Sequence, residues 1–279
     1  PGHGTDDYIV GLANGLDIYC PVQADGTYDD TVPDFLKGLS VWDANGVVIE
    51  TLTSHGDMYH MSMYTHSYPH DGRSRTPVIF RSTEQWFVAV DGNVDGTTLR
   101  ERALEATANE ITFYPPRSQN RMRGMIESRP DWCLSRQRAW GLPIPAFQDN
   151  DETIIMTASS VRAIAAIIET EGSDAWFTKE PCELLAQWDN PDNIDLNSLT
   201  KLHDIFDVWF EAGSSWHAVM QKRNIGFPSD LYSEGGDQHR GWFQLSMLPS
   251  LAVTGVTPFK GVITHGFMVA KDGRKMSKS

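Results

Sequence analysis

Apolar residues at Val161, Ile164, Ala165 and Ile168 recur at i, i+3, i+4 and i+7, the spacing of one helix face, and Gly172 ends the run. A second helix is predicted from Thr98, where Thr98 and Glu101 form a capping box, with Pro115 and Pro116 closing the segment. Residues 4–15 read as a short helix with Thr5 as N-cap, Asp6 and Asp7 in its first turn, and Gly15 as the stop. From there to about residue 85 the pattern predicts β structure: Asp25-Gly26 and Asn45-Gly46 are hairpin-turn signals, and residues 77–80 form a strand-like apolar run. Residues 129–145, dense in arginine and tryptophan and closed by prolines, predict a loop or short turn packed against another module. Residues 172–202 are polar and turn-rich without a period.

From about residue 205 the pattern changes to strand, helix, strand. Residues 206–213 and 230–236 read as strands running into glycine turns, residues 239–253 as a helix kinked at Pro249, and residues 259–269 as a further strand. This alternation predicts parallel strands joined by a right-handed crossover, with ligands bound beyond the strands' carboxyl ends. Glu234, Asp237, His265 and the terminal lysine-containing loop fall at those ends.

Composition narrows the choices. At 279 residues and 40% hydrophobic, with nine tryptophans, the chain is long enough for about two domains with a substantial core. Its net charge of −14 argues against a broad nucleic-acid-binding face but leaves room for local cationic contacts. Cys20, Cys133 and Cys182 are distant and odd in number, which fits a reducing, intracellular and cytoplasmic setting without a disulfide framework or a paired-cysteine metal knuckle. No apolar run approaches a membrane span and no signal peptide is visible, so no membrane partner is expected. The abrupt start at Pro1-Gly2-His3-Gly4 suggests a piece of a longer protein, cut at both ends.

The candidate chemistry gathers near the carboxyl end. Lys275 and Lys278, with the hydroxyls of Ser277 and Ser279, can clamp a polyphosphate and stabilise charge building on a leaving pyrophosphate; the competing reading is a solvated basic tail. Glu234, Asp237 and Gln238 surround Gly235 and Gly236, where a ligand can approach the backbone and polar side chains can hold ribose hydroxyls or an ammonium. The plainer reading is a strand-to-helix turn with Asp237 as N-cap, and the two are compatible. Trp209 and Trp242 read either as core residues or as two walls of an apolar pocket. His265 either packs on a nucleobase or is structural.

Residues 207–219, 233–243, 264–267 and 273–279, taken in order, resemble the class I aminoacyl-tRNA synthetases of the branched-aliphatic group, and residues 1–8, 85–87 and 131–145 agree. The detail of 131–141, 234–243 and 264–279 resembles the isoleucyl branch more than the valyl or leucyl branches. The resemblance implies a mixed α/β and β fold: the C-terminal half of a Rossmann-type catalytic domain (205–279), a connective module (86–204), and the C-terminal part of a β-rich editing domain (1–85). It implies that Lys275 and Lys278 bind ATP phosphates and stabilise adenylate formation. Glu234, Gly235, Asp237 and Gln238 would hold the aminoacyl-adenylate, His265 would lie near its adenine, and Trp209 and Trp242 would line the isoleucine pocket. Asp7 would grip the free ammonium of a misattached amino acid in the editing site. ATP with Mg²⁺, L-isoleucine and tRNA(Ile) are the implied substrates and partners.

Several family features are missing. The HIGH tetrapeptide is absent, and His3 is no substitute for it; the threonine-rich wall of the editing pocket is absent too. Asp71 and Ser74 stand where many relatives carry zinc ligands, so no metal is predicted. This chain alone is therefore expected not to support pyrophosphate exchange. A valyl or leucyl enzyme, a free-standing deacylase and a non-catalytic binding module remain as alternatives.

Overall fold

The computed structural model of the chain describes residues 1–94 and 96–276. The chain divides into two compact units, Pro1–Glu84 and Gln85–Ser279.

In the first unit, α1 (Thr5–Ala13) begins one residue earlier than expected: extended Gly4 is the N-cap, and Thr5 is already helical. No side chain caps this end, so the first-turn carboxylates of Asp6 and Asp7 face its free N–H groups. The Asp25-Gly26 turn forms as expected. Gly26 adopts φ +85, Val22 bridges Tyr28 antiparallel, and Asp25 accepts from the Thr27 amide and hydroxyl.

Asn45-Gly46 does not turn, because α2 (Val41–His55) runs straight through it. Ser40 accepts from the Asp43 amide and donates to the Asp43 carboxylate, while left-handed Gly56 ends the helix. Caps at both ends outweigh a turn dipeptide that lacks alternating strands on its flanks. Among the described residues the expected β-rich character is limited to isolated bridges, one of them between His70 and Pro77 in the predicted 77–80 strand.

The second unit opens with β1 (Phe87–Val88), then the β2–β3 hairpin (Asn93–Val94, Thr97–Thr98). The predicted capping box starts α3 (Leu99–Asn109): Thr98 Oγ1 accepts from the Glu101 amide, and the Glu101 carboxylate accepts from the Thr98 amide at 2.8 Å. There follow β4 (Thr112–Tyr114), α4 (Ser118–Glu127), β5 (Trp132–Cys133) and β6 (Ser135–Arg136). Next come β7 (Phe147–Gln148), β8 (Ile154–Ile155), α5 (Ala158–Glu171), the single turns α6 (Ala175–Thr178) and α7 (Pro181–Leu184), and β9 (Thr200–Lys201). The unit ends with β10 (Ile205–Phe206), α8 (Val208–Gly213), β11 (Tyr232–Gly235), α9 (Trp242–Thr254) and β12 (Gly261–His265).

The predicted strand at 206–213 is mostly helix. Only β10 pairs, antiparallel to β6, and Asp207 then caps α8 by accepting from the Trp209 amide at 3.2 Å. The predicted pairing of the other two strands is present: β11 and β12 are parallel, with Gly235 opposite His265. On the far side of β12 lies a parallel strand the sequence pattern did not reveal, β4, giving the order β11-β12-β4.

α9 packs this sheet. Six consecutive residues, 243–248, are buried, so the helix shows no amphipathic stripe. Phe243, Met247 and Leu248 share one core with Ala103, Met122 and Ile126 of α3 and α4, with Phe113, Tyr232 and Val262 of the strands, and with Phe259 just before β12. Burying each large side chain there contributes about 1.5–3 kcal/mol. A second core joins Ile164 of α5 to Phe147, Trp176, Leu184, Trp188 and Leu199. Much of that core comes from the stretch without a period, through apolar residues spaced by turns.

Candidate functional site

The parallel register sets Gly235 and His265 side by side at the carboxyl ends of β11 and β12. Past Gly235 the chain takes one 3-10 turn, Gly236–His239, before α9. Side chains approach both glycines closely. A Cβ on Gly235 would lie 2.8 Å from Asp237 Oδ1 and 3.4 Å from the Phe267 ring, and one on Gly236 would lie 3.0 Å from an Arg121 nitrogen.

Asp237 does not cap α9. Gln238 does that work instead, its Oε1 accepting from the Trp242 amide at 2.9 Å, and its amide nitrogen stands 3.3 Å from Asp237 Oδ2. Glu234, Asp237 and His265 are exposed at this edge, and His265 Nδ1 donates to the Gly266 carbonyl at 2.9 Å.

Two residues that the sequence reading passed over shape this end of the sheet. His239 is fully buried; its Nδ1 donates to the Gly236 carbonyl at 3.0 Å, and its Nε2 faces the Thr264 hydroxyl at 3.4 Å. Burial, and behind it the positive field of Arg121, holds this imidazole below its usual pKa, so it stays neutral and ties the glycine turn to β12. Arg121 itself reaches Gly236 from α4. The missing signal was β4: without that three-residue strand, nothing in the pattern brings α4 to the strand ends.

The lysine loop folds back as a hairpin at Asp272-Gly273, with Val269 bridging Lys275 and Gly273 at φ +80. Lys275 Nζ stands 3.5 Å over the ring of Phe267, the same ring that packs toward Gly235. Lys278, Ser277 and Ser279 lie outside the described residues.

Trp242 stacks on Tyr232 with ring centroids 3.9 Å apart and planes within 6°, and its indole N–H donates to the Ala212 carbonyl at 3.0 Å. Trp209, 36% exposed, packs against Gly241. The two indoles therefore border the α8–α9 junction, next to Gln238. Beneath them Asp207 accepts from the Trp132 indole at 3.0 Å and pairs with Arg136 at 2.9 Å, which fixes the start of α8.

In the first unit, Asp7 is exposed on α1 with its carboxylate turned back toward Gly4. A cleft of about 320 Å³ lies beside it, between residues 2–5, Tyr8 and residues 80–83; His3 Nδ1 donates to the Phe80 carbonyl there. Asp71 accepts from the amides of Arg73 and Ser74 and from the Ser74 hydroxyl, closing a local turn. Among the described residues no group of three or more His, Cys, Asp or Glu is placed to hold a metal.

The sequence profile of the family described as tRNA synthetases class I (I, L, M and V) matches residues 20–279. The chain belongs to that family. This class I synthetase chain is 44% identical to an isoleucine–tRNA ligase of Sulfurovum sp. (strain NBC37-1), 45% to one of Synechococcus sp. and 46% to one of Aliarcobacter butzleri (strain RM4018). Each match covers 100% of the chain, which spans 28–31% of the length of these relatives. Among solved structures, a LeuRS–tRNA–LeuAMS complex of Agrobacterium radiobacter K84 aligns with 54% of the chain and 21% of its own, at 19% identity and a TM-score of 0.37. The synthetase chain has mixed α/β content, and among its described residues no helix is long and apolar enough to cross a membrane.

Proposed function

We propose that this chain is part of an isoleucine–tRNA ligase, which activates L-isoleucine with ATP and transfers it to tRNA(Ile). The observation that carries this reading is the register pair Gly235–His265 with Lys275 over the adjoining Phe267 ring, in a chain 44–46% identical to isoleucine–tRNA ligases along its whole length.

In this reading the glycine turn lies against the adenylate, Glu234, Asp237 and Gln238 hold its ribose and ammonium, and His265 meets the adenine. Lys275 and Lys278 draw negative charge from the departing pyrophosphate, whose Mg²⁺ arrives with the ATP. Trp209 and Trp242 border the space for the aliphatic side chain. Residues 205–279 are then the second half of the Rossmann-type catalytic domain, 86–204 the connective module, and 1–85 part of the editing domain with Asp7 as its ammonium ligand. Activation by shape alone separates isoleucine from valine by only about 1–3 kcal/mol, an example the general theory of editing draws from this very enzyme class, so a second hydrolytic site is needed for valyl-tRNA(Ile). The work would be done in the cytoplasm.

The test is ligand-observed saturation-transfer NMR with non-hydrolysable isoleucyl-, valyl- and leucyl-adenylate analogues. The isoleucyl analogue should bind most tightly, and Gly235→Ala should abolish its signal. Equal binding of all three, or an unchanged signal in Gly235→Ala, would overturn the proposal.

A further inference from the structure

An arginine-rich stretch of this acidic chain lies away from the lysine loop. Arg117, Arg121, Arg123, Arg129, Arg136 and Arg138 fall within 22 residues of a protein with net charge −14. Two of them, Arg129 and Arg136, with Arg240 from the end of the 3-10 turn before α9, line a cleft of about 380 Å³ that also takes in Trp132, Asp131 and Asp207. Neither His265 nor Lys275 lines it, so it is separate from the strand-end cluster.

The charges in this cleft are unevenly matched. Arg136 and Asp207 satisfy one another at 2.9 Å, and Asp131 accepts from the Val90 amide at 2.9 Å. Among the described residues Arg129 and Arg240 have no carboxylate partner. The Arg129 head is half-buried, 5.7 Å from the Trp132 ring, and donates one hydrogen bond to Gln244 Oε1. Its Nε finds no acceptor, and the fully buried Gln244 leaves its own amide nitrogen without one. Burial, and then repulsion from Arg240, pulls the Arg129 pKa down.

A buried Arg129 donor without an acceptor, beside the exposed guanidinium of Arg240, calls for a ligand that brings both negative charge and several acceptor oxygens. A neutral ligand would supply too few acceptors, and a cation would worsen the repulsion. Planar guanidiniums fit tetrahedral oxyanions through paired N–H donors.

We propose that the Arg129–Arg240 cleft binds a phosphate group, from free phosphate or from a nucleic-acid backbone. Arg240 supplies the exposed contact, Arg129 the buried one, and Trp132 one wall. The site stands whether or not the strand ends hold an adenylate.

The test follows the Trp132 indole N–H resonance in the ¹⁵N-labelled chain, assigned by its loss in Trp132→Phe. The probes are inorganic phosphate and a short RNA carrying a 5′ hydroxyl. Phosphate should shift the resonance, and Arg240→Gln should raise the midpoint about tenfold, the scale of one lost charge-assisted fork. Lys275→Gln should leave it unchanged. A shift with phosphate alone identifies a free anion as the ligand, and a shift with both probes identifies a backbone phosphodiester. No shift with either probe, an unchanged midpoint in Arg240→Gln, or a loss in Lys275→Gln would overturn the inference.

Discussion

Replacing Gly213 with alanine should loosen the junction on which both candidate pocket tryptophans depend. Gly213 is buried at the end of α8, where an added Cβ would lie 2.8 Å from the Leu245 carbonyl carbon of α9 and nearer still to its oxygen. The obstacle is helix backbone, which has no rotamer to change, so α8 and α9 must move apart. Overpacking of this kind costs about 1–3 kcal/mol. The separation also stretches the bond from the Trp242 indole to the Ala212 carbonyl, worth about 1 kcal/mol. Alanine's better helix propensity returns only about 0.5–1 kcal/mol. The net loss should be about 1–3 kcal/mol in urea unfolding followed by tryptophan fluorescence, with a shifted Trp242 indole resonance in the folded state. A Gly213→Ala protein as stable as the parent, with that resonance unmoved, would refute the close packing of α8 on α9.

Thr98→Ala removes the capping box of α3 and should cost about 0.5–2 kcal/mol in the same unfolding assay. Asp207→Asn breaks the Arg136 pair and weakens the Trp132 bond. Because Arg136 is partly exposed, a loss of about 2 kcal/mol is expected by chemical denaturation. Burial depresses the His239 pKa in the folded state, so as pH falls through the ordinary imidazole range the unfolded chain takes up this proton first. Its contribution is therefore present above the unfolded value of about 6.5 and is lost as pH drops toward the depressed folded value. Urea midpoints at pH 7.5 and 5.5 should differ less in His239→Gln than in the parent.

The parts legible in the sequence were those with a local cause. The Thr98–Glu101 box, the α5 helix and the glycine turn after β11 each announce themselves within a few residues, and each is present, although the buried face of α5 runs through Ser160, Ala163 and Ile164 and leaves Ala165 exposed. Asn45-Gly46 misled because a turn dipeptide was read without weighing the caps at Ser40 and Gly56, which decide for helix. The 206–213 strand failed because Asp207 caps a helix there; its apolar neighbours face α9 and the Trp132 ring rather than a sheet. β4 was invisible for a different reason. Three residues carry no period, and only pairing with β12 makes them a strand. Arg121 and His239 were missed along with it, since their nearness to Gly236 depends on tertiary packing. The site residues on β11 and β12 could be read because one register relation aligns them.

The most direct test is a crystal structure of the chain with a non-hydrolysable isoleucyl-adenylate analogue. The account predicts the adenine against His265, the ribose and ammonium among Glu234, Asp237 and Gln238, and the branched side chain bordered by Trp209 and Trp242. An analogue bound elsewhere, or one whose side chain points away from both indoles, would contradict it.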